Sequence, residues 1–247
     1  MQEGIPISIL SRSKVLHHVL ERYLDSIITN DSQIHIADFA AGENDEIPVY
    51  IHQYLSNHFS SRRRDFSFYV YCTDVHSLRI ESLFDKLVSL HLEDRTRVVL
   101  SKFETMTEDA TYPANQMDFV RGLKSRTVID DSIVDSHKLP RGCFHIGILN
   151  NDVVGYIHEY YKEYTDASKS LQGIRSTMQD GGLLMVTQPC MLFPLDNIKV
   201  LESHGFRFTI GYDFDLKSDS MREIDRSLSF DELSKLGHYS ILLFRCK

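Results

Sequence analysis

The stretch IHIADFAAGENDE, Ile34–Glu46, decides the fold. It reads as a short apolar strand ending at Asp38, then a tight turn of small residues containing Gly42, then an acidic start to a helix. Backbone approaches a ligand closely only where side chains are small. A strand-turn-helix of this kind is therefore where an α/β protein would hold an adenosine-containing cofactor.

The rest of the chain repeats that alternation. Before it, Val15, Leu16, Val19, Leu20, Tyr23, Leu24, Ile27 and Ile28 recur on one face of a 3.6-residue period, which predicts an amphipathic helix over Ser13–Ile28. After it, Asp45 is placed to cap a helix with Pro48 in its first turn, running to about Phe59. The aromatic, β-branched run FSFYVYCT, Phe66–Thr73, predicts a buried strand with Asp74 at its end. Ile80, Leu83, Phe84, Leu87 and Val88 follow at helical spacing, and a third strand is expected at Arg97–Phe103.

Residues Glu104–Gly142 break the pattern with a long polar run, read as an insertion with some local structure or a mobile cover. Cys143–Leu149 is the next strand. Val153, Val154, Ile157, Tyr160, Tyr161 and Tyr164 mark one helix, and Leu171, Ile174 and Met178 mark another that stops at Gly181-Gly182 before the strand Leu183–Thr187. A helix at Leu195–Ser203 ends at Gly205. Phe206, Phe208, Ile210, Tyr212, Phe214 and Leu216 then alternate strictly, as in a strand with one apolar face. A polar connector, Lys217–Gly237, with a short helical pattern at Phe230, Leu233 and Leu236, leads to a last strand at His238–Arg245.

Composition bounds the function. The 247 residues are 42% hydrophobic and 25% charged, enough for one core, so a single domain over residues 1–247 is expected. A net charge of −8 argues against partners bound through clustered positive charge, so neither nucleic acid nor an anionic membrane is expected. Arg62-Arg63-Arg64 reads as a solvated connector. With no apolar run long enough to span a bilayer and no signal-peptide core, a cytoplasmic location is the default. Cys72, Cys143, Cys190 and Cys246 are widely separated and the 12 histidines form no H-x-x-x-H pair, so no metal site is expected.

Repeated β-then-α units followed by two strands without a full crossover helix imply a parallel sheet with an antiparallel last strand. In this the sequence resembles the class I, Rossmann-like methyltransferases that use S-adenosylmethionine. DFAAGEN, Asp38–Asn44, is similar to the family's first motif, with Ala40, Gly42 and Asn44 at its small positions. ILNNDVVGY, Ile148–Tyr156, is similar to the fourth motif, and DGGLLMVTQP, Asp180–Pro189, to the turn and strand after it. The resemblance implies an α/β, doubly wound seven-stranded sheet of order 3-2-1-4-5-7-6 with strand 7 antiparallel. Residues 1–30 would be an N-terminal helical cap and 104–142 an insertion or lid between strands 3 and 4.

The resemblance also implies roles. Ala40–Gly42 would lie against the methionine part of S-adenosylmethionine, with Asp38 orienting that loop or the amino group. Asp74 would accept hydrogen bonds from the ribose hydroxyls; Asp65, though nearer the usual spacing, precedes its strand. Phe103 and Glu104 would border the adenine. Asn150 and Asn151 would lie beside the cofactor's sulfonium and the acceptor. Where the acceptor must lose a proton, Asp152, Tyr156 and His158 are the candidate catalytic bases. Asp152 reads equally as the cap of the helix that starts at Val153, and Tyr156 and His158 read also as packing or surface residues.

No proline or aromatic residue directly follows Asn150. That departs from the Asn/Asp-Pro-Pro-aromatic motif of amide and base methylation and points to a small-molecule acceptor. The expected activity is methyl transfer by in-line displacement. Two other readings stay open: an inactive methyltransferase-fold partner subunit, motivated by the glycine-poor turn, and a nicotinamide-dependent oxidoreductase. Oligomeric state is left undetermined.

Overall fold

The computed structural model describes residues 14–27, 33–60, 67–111, 139–160, 166–188, 194–215, 220–227, 229–233 and 239–247. The Arg62–Arg64 run, Asp65, Tyr161, Tyr164, Cys190, Leu216, Leu236, His238 and most of the 104–142 insertion lie outside them. The main sheet has eight strands in the order β3-β2-β1-β6-β7-β10-β8-β9, with strands numbered along the chain. Backbone proximity divides the chain into two units, one through Leu100 and one that takes up the chain at Ser101.

The first unit holds α1 (Lys14–Ile27), β1 (Gln33–Phe39), α2 (Glu46–Ser60), β2 (Ser67–Asp74), α3 (Ser77–Ser89) and β3 (Thr96–Leu100). β1 and β2 pair in parallel with Asp38 opposite Cys72, and β2 and β3 with Asp74 opposite Leu100. β1 is buried on both faces after its first residue, as a parallel strand covered by helices must be. Ile34, Ile36, Phe39, Phe68, Val70 and Tyr71 form its core, joined by Leu20, Tyr23 and Leu24 of α1. α1 also reaches α2, where His17 Nε2 lies 2.9 Å from the Tyr50 hydroxyl.

The second unit begins with a single 3-10 turn, Phe103–Thr105. The third strand thus ends at Leu100, three residues short of the expected Phe103. The reason is tertiary: a Cβ on Gly173 would sit 1.9 Å from the Phe103 carbonyl oxygen, so the chain here is shaped by a helix about seventy residues away. β4 (Thr107–Thr111) and β5 (Leu139–Arg141) make a separate parallel pair, the local structure expected at the ends of the insertion.

β6 (Phe144–Leu149) is followed by α4 (Val153–Gly155), which continues as one π-helical turn over Tyr156–Tyr160. Then come α5 (Ala167–Thr177), β7 (Met178–Gln188), α6 (Pro194–Ser203), β8 (Phe206–Asp215), β9 (Ser220–Glu223), α7 (Phe230–Leu233) and β10 (Tyr239–Cys246). β6 and β7 are parallel, and β10 lies antiparallel to both β7 and β8, as expected of the last strand.

Two expectations need correction here. α5 stops at Thr177 instead of Gly181-Gly182, and Met178 is already strand. The two glycines lie inside β7, where the register moves from Phe144 opposite Met178 to Ile146 opposite Leu183. Gly181 has φ +75°, and a Cβ on Gly182 would meet the Gln179 carbonyl at 2.9 Å, so the pair builds a bulge. The second correction is the strand count, eight in place of seven. β9, SMRE, pairs with the end of β8, Phe214 opposite Met221. It is a short, mostly exposed polar edge strand, and such edges carry no apolar period to read.

Candidate functional site

In the first unit the turn after β1 is fastened to the end of β2. The Ala41 N–H donates to the Thr73 carbonyl at 2.9 Å, and the Gly42 N–H donates to Asp74 Oδ2 at 2.9 Å. Asp74 Oδ1 accepts the His76 N–H, also at 2.9 Å. One carboxylate therefore joins the small-residue turn to the start of α3. Lys86 of α3 adds a third tie, donating from Nζ to the Glu43 carbonyl at 2.7 Å.

The turn needs left-handed backbone at two places, Ala40 with φ +58° and Gly42 with φ +62°. Glycine takes that conformation freely; for alanine its Cβ crowds the following carbonyl at about 1–2 kcal/mol. Nothing lies within 4 Å of the point where a Gly42 Cβ would stand, so the turn presents bare backbone. Asn44 is spent on structure: its Oδ1 accepts the Glu46 N–H at 2.8 Å and starts α2, the capping service the sequence suggested for Asp45.

Asp38 is the exceptional group. It is 1% exposed, and neither carboxylate oxygen has a hydrogen-bond partner among the described residues. Burial, and then the nearby charge of Asp74, hold its carboxyl well above the usual carboxylate range. The Cys72 thiol opposite it is likewise pushed up by burial and by Asp38. An unpaired buried carboxylate is costly, and it invites a donor or a cation. Asp38, Ala40, Gly42 and Asn44 lie on β1 and the turn after it, and Asp74 is fastened to that turn through Gly42.

In the second unit, Asn150, Asn151 and Asp152 leave the carboxyl end of β6 in a turn with two successive left-handed residues, Asn151 at φ +61° and Asp152 at φ +65°. Thr187 of β7 grips this turn. Its hydroxyl accepts the Asn151 N–H at 2.9 Å and donates to Asn150 Oδ1 at 2.6 Å; its carbonyl accepts the Asp152 N–H at 2.8 Å. The Tyr239 hydroxyl donates to Thr187 Oγ1 at 3.1 Å. Asn151 Oδ1 is buried with no partner among the described residues.

Asp152 Oδ1 accepts the Gly155 N–H at 3.3 Å, closing the first turn of α4. Tyr156 is 38% exposed and His158 half-buried, both on the π-helical turn, a distortion that recurs at functional sites. Phe103 and Glu104 sit on the 3-10 turn and not at a strand end. Glu104 Oε1 accepts the Asp166 N–H at the start of α5 at 3.2 Å and pairs with Lys102 at 3.8 Å.

Thr187 and Tyr239 escaped the sequence reading. They are 52 positions apart, and a threonine and a tyrosine at strand ends carry no local signal; only strand pairing through β10 brings them together. Among the described residues no cluster of three or more His, Cys, Asp or Glu is placed to hold a metal. Among them, too, no helix is long and apolar enough to cross a membrane.

The sequence matches no protein-family model and no curated protein. Solved structures do match. A CurJ carbon methyltransferase is 12% identical, over 95% of this chain and 55% of that one, with a TM-score of 0.50. A geranyl diphosphate methyltransferase solved with GPP and sinefungin is 10% identical, over 93% and 76%, also at 0.50. A SAM-dependent methyltransferase from Aquifex aeolicus covers 99% of this chain and 100% of its own at 12% identity and a TM-score of 0.48. The first two likenesses establish the fold: a Rossmann-like α/β sheet of the class I methyltransferase kind, here with one additional edge strand.

Proposed function

We propose that this chain, which has the fold just described, binds S-adenosylmethionine and transfers its methyl group to a small-molecule acceptor. The observation that carries the reading is Asp38, a buried carboxylate with no partner among the described residues, just before a bare-backbone turn tied to Asp74. The residues fit the cofactor. Asp38 offers an acceptor for its ammonium group, Gly42 a surface without side chain, and Asp74 the remaining lone pairs of both oxygens for the ribose hydroxyls. Phe103 and Glu104 are retained as candidate neighbours of the adenine.

The bound cofactor supplies an activated methyl group on a sulfonium. The chain then has to hold the acceptor in line and exclude water. Asn150 and Asn151 are assigned to the acceptor side. Asp152, Tyr156 and His158 are the candidate proton acceptors, Asp152 doubling as the cap of α4. One domain over residues 1–247, with 1–30 as a helical cap and 104–142 as a lid, and a cytoplasmic setting belong to the same proposal.

Calorimetric titration with S-adenosylhomocysteine tests it. Binding in the micromolar range with a raised melting temperature is the expected result, since a ligand that binds only the folded state stabilises it. No binding at millimolar ligand overturns it, and selective binding of NAD would replace it with oxidoreductase chemistry.

A second reading, a non-catalytic subunit that keeps the fold, is favoured by Ala40 at a left-handed position and by the backbone donors already on both Asp74 oxygens. Tight S-adenosylhomocysteine binding without turnover on a broad acceptor panel would select it.

A further inference from the structure

Asn150 stands at the carboxyl end of β6, a strand parallel to β7, and the carboxyl ends of parallel strands are where open α/β sheets take their ligands. Its carboxamide has two chemically opposite ends, an oxygen that accepts and an NH2 that donates. Which end faces a ligand decides what that ligand must be.

The Thr187 hydroxyl settles the orientation by saturation. A hydroxyl has two lone pairs and one proton. Both lone pairs are used, by the Asn151 N–H at 2.9 Å and the Tyr239 O–H at 3.1 Å. The proton must therefore be donated, and it goes to Asn150 at 2.6 Å. The Asn150 atom receiving it is Oδ1, which leaves the NH2 end of the carboxamide for another partner. Among the described residues neither NH2 hydrogen meets a protein acceptor, and Asn150 is only half-buried.

We propose that Thr187 is a positioning residue that fixes Asn150 NH2-outward, and that Asn150 therefore selects an acceptor presenting a lone-pair oxygen to it: a phenolate, carboxylate or enolate. An amine or amide N–H presented there would meet donor against donor. At Asn150 that excludes its own side-chain oxygen as the grip on the N–H of a planar nitrogen. The inference rests on the proposed function for the identity of the acceptor, while the orientation of Asn150 stands on its own geometry. Asn151 and Asp152, held left-handed by the same threonine, show that the turn is clamped and not merely adjacent.

The test uses full-length protein labelled with 15N-asparagine, with the Asn150 side-chain NH2 signals identified by their loss in Asn150→Ser. Benzoate, 4-nitrophenolate and benzylamine are titrated separately. The two oxygen probes are expected to shift both Asn150 signals at a concentration at least five-fold below any effect of benzylamine. Thr187→Ser should keep that preference. Thr187→Val, which has no proton to donate, should abolish it.

A shift by benzylamine at equal or lower concentration, no shift by any probe, or an unchanged preference in Thr187→Val overturns the proposal. S-adenosylhomocysteine is titrated into the same sample with loss or gain of its own binding heat. Probe selectivity without that heat sinks the methyltransferase reading alone; heat without selectivity sinks this inference alone.

Discussion

Asp74 Oδ2 accepts the Gly42 N–H at 2.9 Å, so the acid that ends β2 and the glycine that follows β1 act as one part although 32 residues separate them. The same carboxylate starts α3 through the His76 N–H. It serves the turn before it can serve any ligand.

Asp74→Asn keeps one acceptor oxygen but sets an NH2 against one of the two backbone donors. Leaving a fully buried donor unsatisfied costs about 1–3 kcal/mol, and these part-buried donors fall at the low end of that range. The melting temperature should fall by roughly 2–4 °C for each kcal/mol in a chain of this size. S-adenosylhomocysteine affinity should fall at least ten-fold. A normal melting temperature with lost affinity would show that the ribose role exists without the structural one.

Asp38→Asn should do the opposite to stability. Burial, and then the charge of Asp74, raise the folded pKa of its carboxyl, so the folded state holds the proton that the unfolded chain releases. Its contribution is present below the ordinary carboxylate range and is lost as pH rises through the raised value. The variant should therefore melt higher than the parent at neutral pH and show a flatter pH dependence. It should also bind S-adenosylhomocysteine more weakly, because the carboxamide keeps one acceptor oxygen but has no negative charge to pair with the ammonium. A lower melting temperature at pH 7 would mean that Asp38 has a partner in solution.

Ala40→Gly tests the strain in the turn. Relief of the left-handed alanine is worth about 1–2 kcal/mol, against roughly 0.4–1 kcal/mol of added freedom in the unfolded chain. A small rise in denaturation midpoint is expected, with cofactor affinity equal or better. Ala40→Val should lower both. A fall in stability for the glycine variant would contradict the observed φ of +58°.

His52 predicts the acid limb of stability. Its ring lies 2.7 Å from Thr96 Oγ1, and burial, then the charge of Arg95, push its pKa down to about 4. The unfolded chain takes up a proton near the ordinary histidine value; the folded protein does so only near 4. Stability is thus complete above about 6.5 and drains away as pH falls towards 4. His52→Gln should flatten denaturation midpoints measured between pH 7 and 4. An unchanged slope would assign the acid loss to other groups.

Much of this was legible in the chain. Ile34–Phe39, Ser67–Asp74 and Phe206–Asp215 carry strong apolar patterns, and two final strands without a full crossover helix between them imply the antiparallel finish. Asp38, Gly42 and Asp74 were readable because strand ends and small residues have local signatures. Phe103 was misplaced because Gly173 on α5 approaches its carbonyl, and the Gly181-Gly182 pair was misread because a bulge and a helix stop use the same residues.

By itself, then, the sequence determined which segments are strands and helices and that the turn after β1 has little side chain, because period and residue size are local properties. Tertiary structure alone decided that Asp74 fastens Gly42, that Asp38 has no partner among the described residues, and that Thr187 and Tyr239 adjoin Asn150. Those facts depend on which strands become neighbours and on counting every donor and lone pair around one atom. Hydrogen bonds between residues thirty to fifty positions apart leave no periodic trace in a chain.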